Sequence, residues 1–292
     1  MAVIEELQSA VQTISRQVGG SIVGIANRWG MGSGVVLEPG KVLTNAHNLR
    51  GEQVTVVFGD GRSVEARVAG ADLDGDLAVL EVDTGDAPAI TWDGTDAVGI
   101  GAPVFALSNP GGRGLRVTFG LVSGTERSFR GPRRRRIAGS IEHTAPLLPG
   151  SSGGPVVDPG GRFLGINTNR LGEGFYLAIP ADAALRARVE QLGRGEAPER
   201  PRLGIAIVPN QIARRMRAAV GLDERDGVLV RGVEEDGPAA RAGIREGDLI
   251  TRAGDRDVAT GDDLQEVLAT ATGSIVLSVV RGSEDLSVTV AL

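Results

Sequence analysis

Gly34-Val35-Val36-Leu37-Glu38-Pro39-Gly40-Lys41-Val42-Leu43-Thr44 holds two short β-type runs, Gly34–Leu37 and Val42–Thr44, parted by a Gly-containing turn. The same rhythm extends to both sides. Ile22–Ile25 precedes the stretch, and Val54–Phe58, Val64–Ala69, Ala78–Val82, Val104–Leu107, Val117–Val122, Val156–Val157, Phe163–Asn167 and Phe175–Ile179 follow it. Many short strands broken by Gly, Asp and Asn indicate a β-barrel or sandwich. The 44 glycines keep no fixed period, which suits tight turns better than long helices. Only 3% of residues are aromatic against 41% apolar, so the core must be filled mainly by Val, Ile, Leu and Ala.

A chain of 292 residues exceeds the usual ~100–200 of one domain, so two are expected. Leu7, Val11 and Ile14 predict an amphipathic helix over residues 5–17, and Ala181–Leu192 reads as a second helix. The polar, Gly- and Pro-containing stretch from Gly193 to Pro201 reads as a linker. It parts a first domain, 1–192, from a tail, 202–292. In the tail, Leu203–Val208, Gly227–Val233, Asp248–Ala253, Ile275–Val280 and Leu286–Leu292 read as strands. Pro238–Ala242 and Asp262–Thr270 read as helical, giving a small mixed α/β unit.

The absence of cysteine excludes disulfides and thiolate metal sites, and no cofactor or metal is expected. A net charge of −6 argues against a dedicated nucleic-acid binder. No apolar run of transmembrane length and no signal-peptide pattern occurs, so with Met1 as the natural start the expected compartment is the cytoplasm. A trimmed exported or anchored protein would look the same.

The strongest local chemical signal is Gly150-Ser151-Ser152-Gly153-Gly154-Pro155. A serine that attacks a carbonyl needs its hydroxyl exposed on a tight turn, with backbone amides aimed at the developing oxyanion. Taken alone, the loop reads equally well as an ordinary Gly/Ser turn. The chain offers two histidines as base, His47 after an apolar strand and His143 nine positions before Ser152. Asp76 is the candidate carboxylate because Leu77-Ala78-Val79-Leu80 behind it looks buried. Its rivals Asp72 and Asp74 sit in a Gly/Asp turn.

Several segments together resemble the HtrA/Deg family of PDZ-containing serine proteases. Gly32-Ser33-Gly34-Val35-Val36 with Val42–His47 resembles its histidine segment, and Asp76–Leu80 its aspartate segment. Ser108-Asn109-Pro110 and Gly120-Leu121-Val122-Ser123 are similar to the stretch between aspartate and serine. Gly150–Gly154 with Leu164–Thr168 and Ala178-Ile179-Pro180 looks like the nucleophile loop and the strands after it. The order His, Asp, Ser is that of the trypsin-like fold. The resemblance implies a mainly β, trypsin-like double six-stranded β-barrel followed by a small PDZ domain. It also implies a serine endopeptidase that acts on unfolded or damaged polypeptides. By the same likeness His47 is the general base, Asp76 its orienting carboxylate and Ser152 the nucleophile. Gly150, Ser151 and Ser152 bound the oxyanion hole, and His143 is left structural. The family usually has Asn where Ser151 stands. A homo-oligomer is implied, although the N-terminal segment lacks the aromatic residues that help many members form trimers.

Matching residue by residue puts Leu147, Arg170 and Leu171 at the substrate pocket. Leucines there favour aliphatic residues by ~0.8 kcal/mol per buried methylene. Arg170 either turns inward to accept an acidic residue or reaches out to solvent. The run Arg130-Gly131-Pro132-Arg133-Arg134-Arg135-Arg136 reads as a solvated loop or as a polyanion sensor. Arg202-Leu203-Gly204-Ile205-Ala206-Ile207 resembles a PDZ carboxylate-binding loop that captures a peptide C-terminus by β-augmentation. Leu203, Gly204, Ile205, Ile207, Leu264 and Leu268 are its expected peptide-binding residues. Two competing functions stand beside the endopeptidase: a catalytically silent PDZ adaptor and a hydrolase of small esters.

Overall fold

A computed structural model describes residues 2–27, 30–49, 54–94, 98–131, 136–172, 174–196, 201–208 and 210–292. Residues 132–135 of the arginine run and 197–200 of the expected linker lie outside the described residues. The chain divides into two compact units, Met1–Pro198 and Glu199–Leu292.

The first unit opens with helix α1 (Ala2–Val18). Its C-terminal half seals Ile14 and Val18 into the core, whereas Val3 and Ile4 stay 75% and 72% exposed. Strands β1 (Ile22–Asn27), β2 (Gly30–Glu38), β3 (Lys41–Thr44), β4 (Val54–Val57), β5 (Ser63–Asp72) and β6 (Leu77–Glu81) close an antiparallel barrel in the order β1-β2-β3-β6-β5-β4. A second barrel follows from β7 (Pro103–Ser108), β8 (Arg116–Arg130), β9 (Arg136–His143), β10 (Pro155–Val157), β11 (Phe163–Arg170) and β12 (Tyr176–Pro180), in the order β10-β11-β12-β9-β8-β7. The double six-stranded barrel is the architecture expected from the resemblance.

Burial alternates along β4, where Val54 and Val56 are buried while Thr55 and Val57 are half-exposed, whereas β6, β10 and most of β11 are buried on both faces. A six-stranded barrel has a narrow interior, which branched aliphatics fill here with Phe58 beside them in the first barrel. Val23, Ile25, Val36, Val42, Val54, Val56 and Leu80 do so in the first barrel. Val104, Ala106, Val122, Ile141, Val156 and Ala178 do so in the second. The larger side chains gather between the barrels, where Leu43, Leu77, Phe105, Leu107, Phe163, Ile166 and Leu177 form one core with α1 and with α2 (Ala183–Gly193). Asp182 caps α2 by accepting from Leu185 N at 2.8 Å. The seam between the barrels therefore has rigid walls.

The second unit is a sheet of β13 (Ile205–Val208), β14 (Val228–Val233), β15 (Leu249–Ala253), β17 (Ser274–Arg281) and β18 (Glu284–Ala291), with the short β16 (Arg256–Asp257) paired to β15. Helices α3 (Asn210–Ala219), α4 (Pro238–Arg241) and α5 (Gly261–Thr270) complete it. Thr260 and Asp263 form a capping box at the start of α5. Buried Asp248, 1% exposed, is held by Arg281 Nε at 2.8 Å and Nη2 at 2.7 Å. Helix α3 was not expected, although Ile212 and Met216 stand at helical spacing; it turns that stripe to solvent and hides Ala213 and Arg217. Among the described residues, no helix is long and apolar enough to cross a membrane.

Candidate active site

His47 sits in a single helical turn, Ala46–Asn48, that ends β3 in the first barrel. Asp76 precedes β6, 1% exposed, with φ at 56°. That left-handed backbone costs on the order of 1 kcal/mol outside glycine, and its persistence marks a position fixed by its surroundings. Asn45 Nδ2 contributes by donating to Asp76 O at 2.9 Å. The Asp76 carboxylate faces only donors. His47 N donates to Oδ1 at 3.0 Å, Thr168 Oγ1 donates to Oδ2 at 2.6 Å, and His47 Nδ1 lies 2.9 and 2.8 Å from the two oxygens. A carboxylate that only accepts forces the proton onto Nδ1, leaving the Nε2 lone pair free.

Ser152 comes from the second barrel, on the loop before β10. Within Leu148-Pro149-Gly150-Ser151, Ser151 N donates to Leu148 O at 3.1 Å and Gly150 has φ of 88°. Pro in the second position and a positive-φ residue in the third are the requirements of a type II turn. The amides of Gly150 and Ser152 donate to no group among the described residues. Ser151, expected beside them, differs: its amide closes the turn, so two donors remain rather than three. Gly153 has φ of 91°, and a Cβ there would stand 2.0 Å from Ser33 O. The loop can press against the first barrel only with glycine at that position. Ser152 Oγ donates to Thr168 O at 3.1 Å.

Asn167 and Thr168, adjacent in β11, tie these parts together. Thr168 reaches both Asp76 and Ser152. Asn167 O accepts from Gly153 N at 2.8 Å, and Asn167 Nδ2 donates to Gly154 O at 3.0 Å and to Pro155 O at 3.3 Å. Its Oδ1 therefore faces His143, whose Nε2 lies 2.9 Å away and must donate. His143 is wholly buried and stacked on Tyr176, with ring centroids 5.9 Å apart. Burial lowers its pKa to about 4 against the opposing pull of the Asn167 bond, so it is neutral at pH 7. The rival Asp72 accepts from the amides of Asp74 and Gly75 and pairs with Arg188 at 3.4 Å, away from His47.

The groups converge on an open cleft of about 480 Å³ lined by His47, Asp76, Ser152, Gly150, Leu147 and Arg170, among others. Arg170 is exposed, its Nε donating to Gly172 O at 2.7 Å, so its charge lies along the rim. Leu171 does not line the cleft: it is 45% exposed on a hairpin tip where its amide donates to Phe175 O at 2.9 Å. Tyr176, Phe129 and Arg130 take wall positions that sequence matching missed. Thr168 was missed too. Its signal was available, because Asn167-Thr168 is a polar pair ending the buried apolar run Phe163–Ile166. Among the described residues, no group of three or more His, Asp or Glu could hold a metal ion.

In the second unit, β13 is an edge strand, and its other side pairs with β14. Gly204 before it has φ of 73°, and the amides of Leu203 and Gly204 donate to no group among the described residues. Leu203, Leu264 and Leu268, expected in an open groove, are instead core residues at 2%, 4% and 7% exposure. Packing a small domain leaves no aliphatic surface to spare there. Ile205 is half-buried, and Ile207, 37% exposed, lies next to the start of α5.

The paired barrels and the cleft between them define a trypsin-like serine peptidase unit, followed by a PDZ unit. The family model described as trypsin-like peptidase domain matches residues 32–166, and that described as PDZ domain matches 201–292. A "probable periplasmic serine endoprotease DegP-like" of Halomonas elongata is 32% identical over 272 residues, covering 90% of this chain and 56% of its own length. The chain thus spans little more than half of that relative. The solved structure of a serine endoprotease from Yersinia pestis superposes with a TM-score of 0.73 at 30% identity, covering 96% of both chains. An HtrA-type protease, AlgW with decapeptide, gives 0.76 at 28% identity over 96% of this chain and 97% of that one. This chain belongs to the HtrA/Deg family of PDZ-containing serine proteases. The cytoplasmic expectation finds no support here, since the Halomonas relative is named periplasmic.

Proposed function

We propose that the chain is a serine endopeptidase that cleaves unfolded polypeptides through Ser152, His47 and Asp76. The observation that carries this reading is the Asp76 carboxylate, buried and touched only by donors, which fixes His47 with its Nε2 lone pair toward the cleft that holds Ser152. After a χ1 rotation away from Thr168 O, Ser152 Oγ attacks the scissile carbonyl and its proton passes to His47 Nε2. The carbonyl oxygen, now an anion, takes the unpaired amides of Gly150 and Ser152. Imidazolium beside Asp76 returns the proton to the leaving amine as the C–N bond breaks, and water hydrolyses the Ser152 ester by the same route. With Leu147 and Tyr176 in the wall and Arg170 on the rim, the site favours a medium aliphatic residue before the scissile bond.

The second unit binds peptide C-termini. The free edge of β13 adds a strand, the amides of Leu203 and Gly204 take the carboxylate, and Ile205 and Ile207 meet the terminal side chains. A peptide-bound HtrA-type neighbour supports peptide binding in this architecture. A homo-oligomer is the proposed assembly. The test is degradation of a reduced, unfolded protein beside a folded one: the chain is expected to cleave the former and Ser152→Ala neither. Equal turnover by Ser152→Ala would sink the reading, and turnover of small esters without peptide cleavage would replace it with an esterase.

A further inference from the structure

The turn that presents Gly150 N and Ser152 N is gripped from the opposite barrel. Ser33, on β2, donates from Oγ to Gly150 O at 2.8 Å and accepts there from Asn109 N at 3.0 Å. Its own amide donates to Ser152 O at 2.9 Å, and Asn48 Nδ2 donates to the same oxygen at 2.9 Å. Thr44 Oγ1 joins the two gripping residues, donating to Ser33 O at 2.7 Å and accepting from Asn48 Nδ2 at 3.0 Å. Ser33 is fully buried and Asn48 is 7% exposed, and neither lines the cleft. The Ser33 hydroxyl and amide and Asn48 Nδ2 face the loop and its immediate neighbours.

We propose that Ser33 and Asn48 are positioning residues that hold the oxyanion donors in register, an inference that rests on Ser152 being the nucleophile. Two peptide planes of the loop are held at both ends. The plane joining Gly150 to Ser151 is pinned at both ends, by Ser33 Oγ on its oxygen and by Leu148 O on its N–H. The plane joining Ser152 to Gly153 is pinned likewise, by Ser33 N and Asn48 Nδ2 on its oxygen and by Asn167 O on its N–H. Between them, Ser151 O accepts from Gly154 N at 3.0 Å. Glycines at 150 and 153 supply no steric resistance of their own, so these bonds set the direction of the two free amides. Removing the Ser33 hydroxyl leaves Gly150 O and Asn109 N unpaired inside the protein. Buried Asn109 N and half-buried Gly150 O then seek other partners and carry their peptide planes with them. The first barrel thereby supplies both His47 and the brace for the second barrel's oxyanion hole.

The test compares Ser33→Ala and Asn48→Ala with the unaltered chain, using a peptide substrate for kcat and KM and a fluorophosphonate for the rate of Ser152 modification. Misaligned oxyanion donors lower kcat and the modification rate together, by ~10- to 100-fold for Ser33→Ala, with KM within about twofold. Asn48→Ala is expected to lose less, because Ser33 N still holds Ser152 O. A thermal melt reports folding; if Ser33→Ala is unfolded at the assay temperature, Asn48→Ala carries the test. A folded variant with kcat within twofold, or a loss confined to KM, overturns the inference. Ser152→Ala is the separate control: if it retains turnover, the nucleophile assignment itself fails.

Discussion

Asp76→Asn probes the part of the site on which the proposed chemistry depends most. The carboxylate accepts from His47 N at Oδ1, from Thr168 Oγ1 at Oδ2 and from His47 Nδ1 between them. An asparagine has the same shape but a single acceptor oxygen. The His47 amide cannot reverse its role, so the oxygen settles at the Oδ1 position and the NH2 occupies the Oδ2 position. Thr168 adapts, because a hydroxyl can turn to accept. The NH2 at the Oδ2 position, 2.8 Å from His47 Nδ1, donates to that nitrogen, which moves the ring proton to Nε2 and removes the lone pair that would receive the Ser152 proton. The expected fall in kcat is on the order of 10⁴, about 5.5 kcal/mol of transition-state stabilisation, with KM nearly unchanged. Steady-state kinetics on a chromogenic peptide read this, and near-UV circular dichroism checks that the fold persists. A folded Asp76→Asn with kcat within tenfold of the unaltered chain refutes the tautomer argument.

Buried, neutral His143 makes stability depend on pH. Its pKa is about 4 folded against an ordinary 6.5, so the unfolded chain binds the extra proton; its contribution is complete above pH 6.5 and is lost as pH falls toward 4. The loss reaches about 3 kcal/mol, and urea denaturation of His143→Gln should show a slope shallower by about one proton across that window. Gly153→Ala places a Cβ at 2.0 Å from Ser33 O in a backbone of φ 91°. It should lower stability by roughly 3 kcal/mol, read as a drop in Tm, and abolish peptide turnover; a wild-type Tm would contradict the close approach. Ile207→Asp sets a charge beside the β13 edge and should weaken binding of a C-terminal peptide at least ~10-fold, measured by fluorescence anisotropy. Unchanged affinity would move the peptide site elsewhere.

A barrel or sandwich was legible because short runs of Val, Ile and Leu are broken by Gly, Asp and Asn, and the resemblance to the HtrA/Deg segments brought His47, Asp76 and Ser152 forward as one set. What escaped was set by tertiary contact. Leu171 was expected in the pocket, yet the hairpin that carries it bends outward, while Tyr176 returns on the next strand to take the wall. Thr168 carries no sequence pattern that names Asp76 as its partner; folding supplies that contact across 92 positions. In the second unit, Leu264 and Leu268 sit at helical spacing that fits core and groove equally, and the small core claims both. Helix α3 hides Ala213 and Arg217 and exposes Ile212, the reverse of the usual pattern.

Every step of the proposed chemistry depends on Ser152, activated by His47, as the nucleophile. Incubation with a fluorophosphonate followed by peptide mapping tests it in one measurement. A single adduct on Ser152, lost in Ser152→Ala and slowed by several orders of magnitude in His47→Ala, is the predicted result. An adduct on another residue, or labelling of Ser152 at an unaltered rate in His47→Ala, would contradict it.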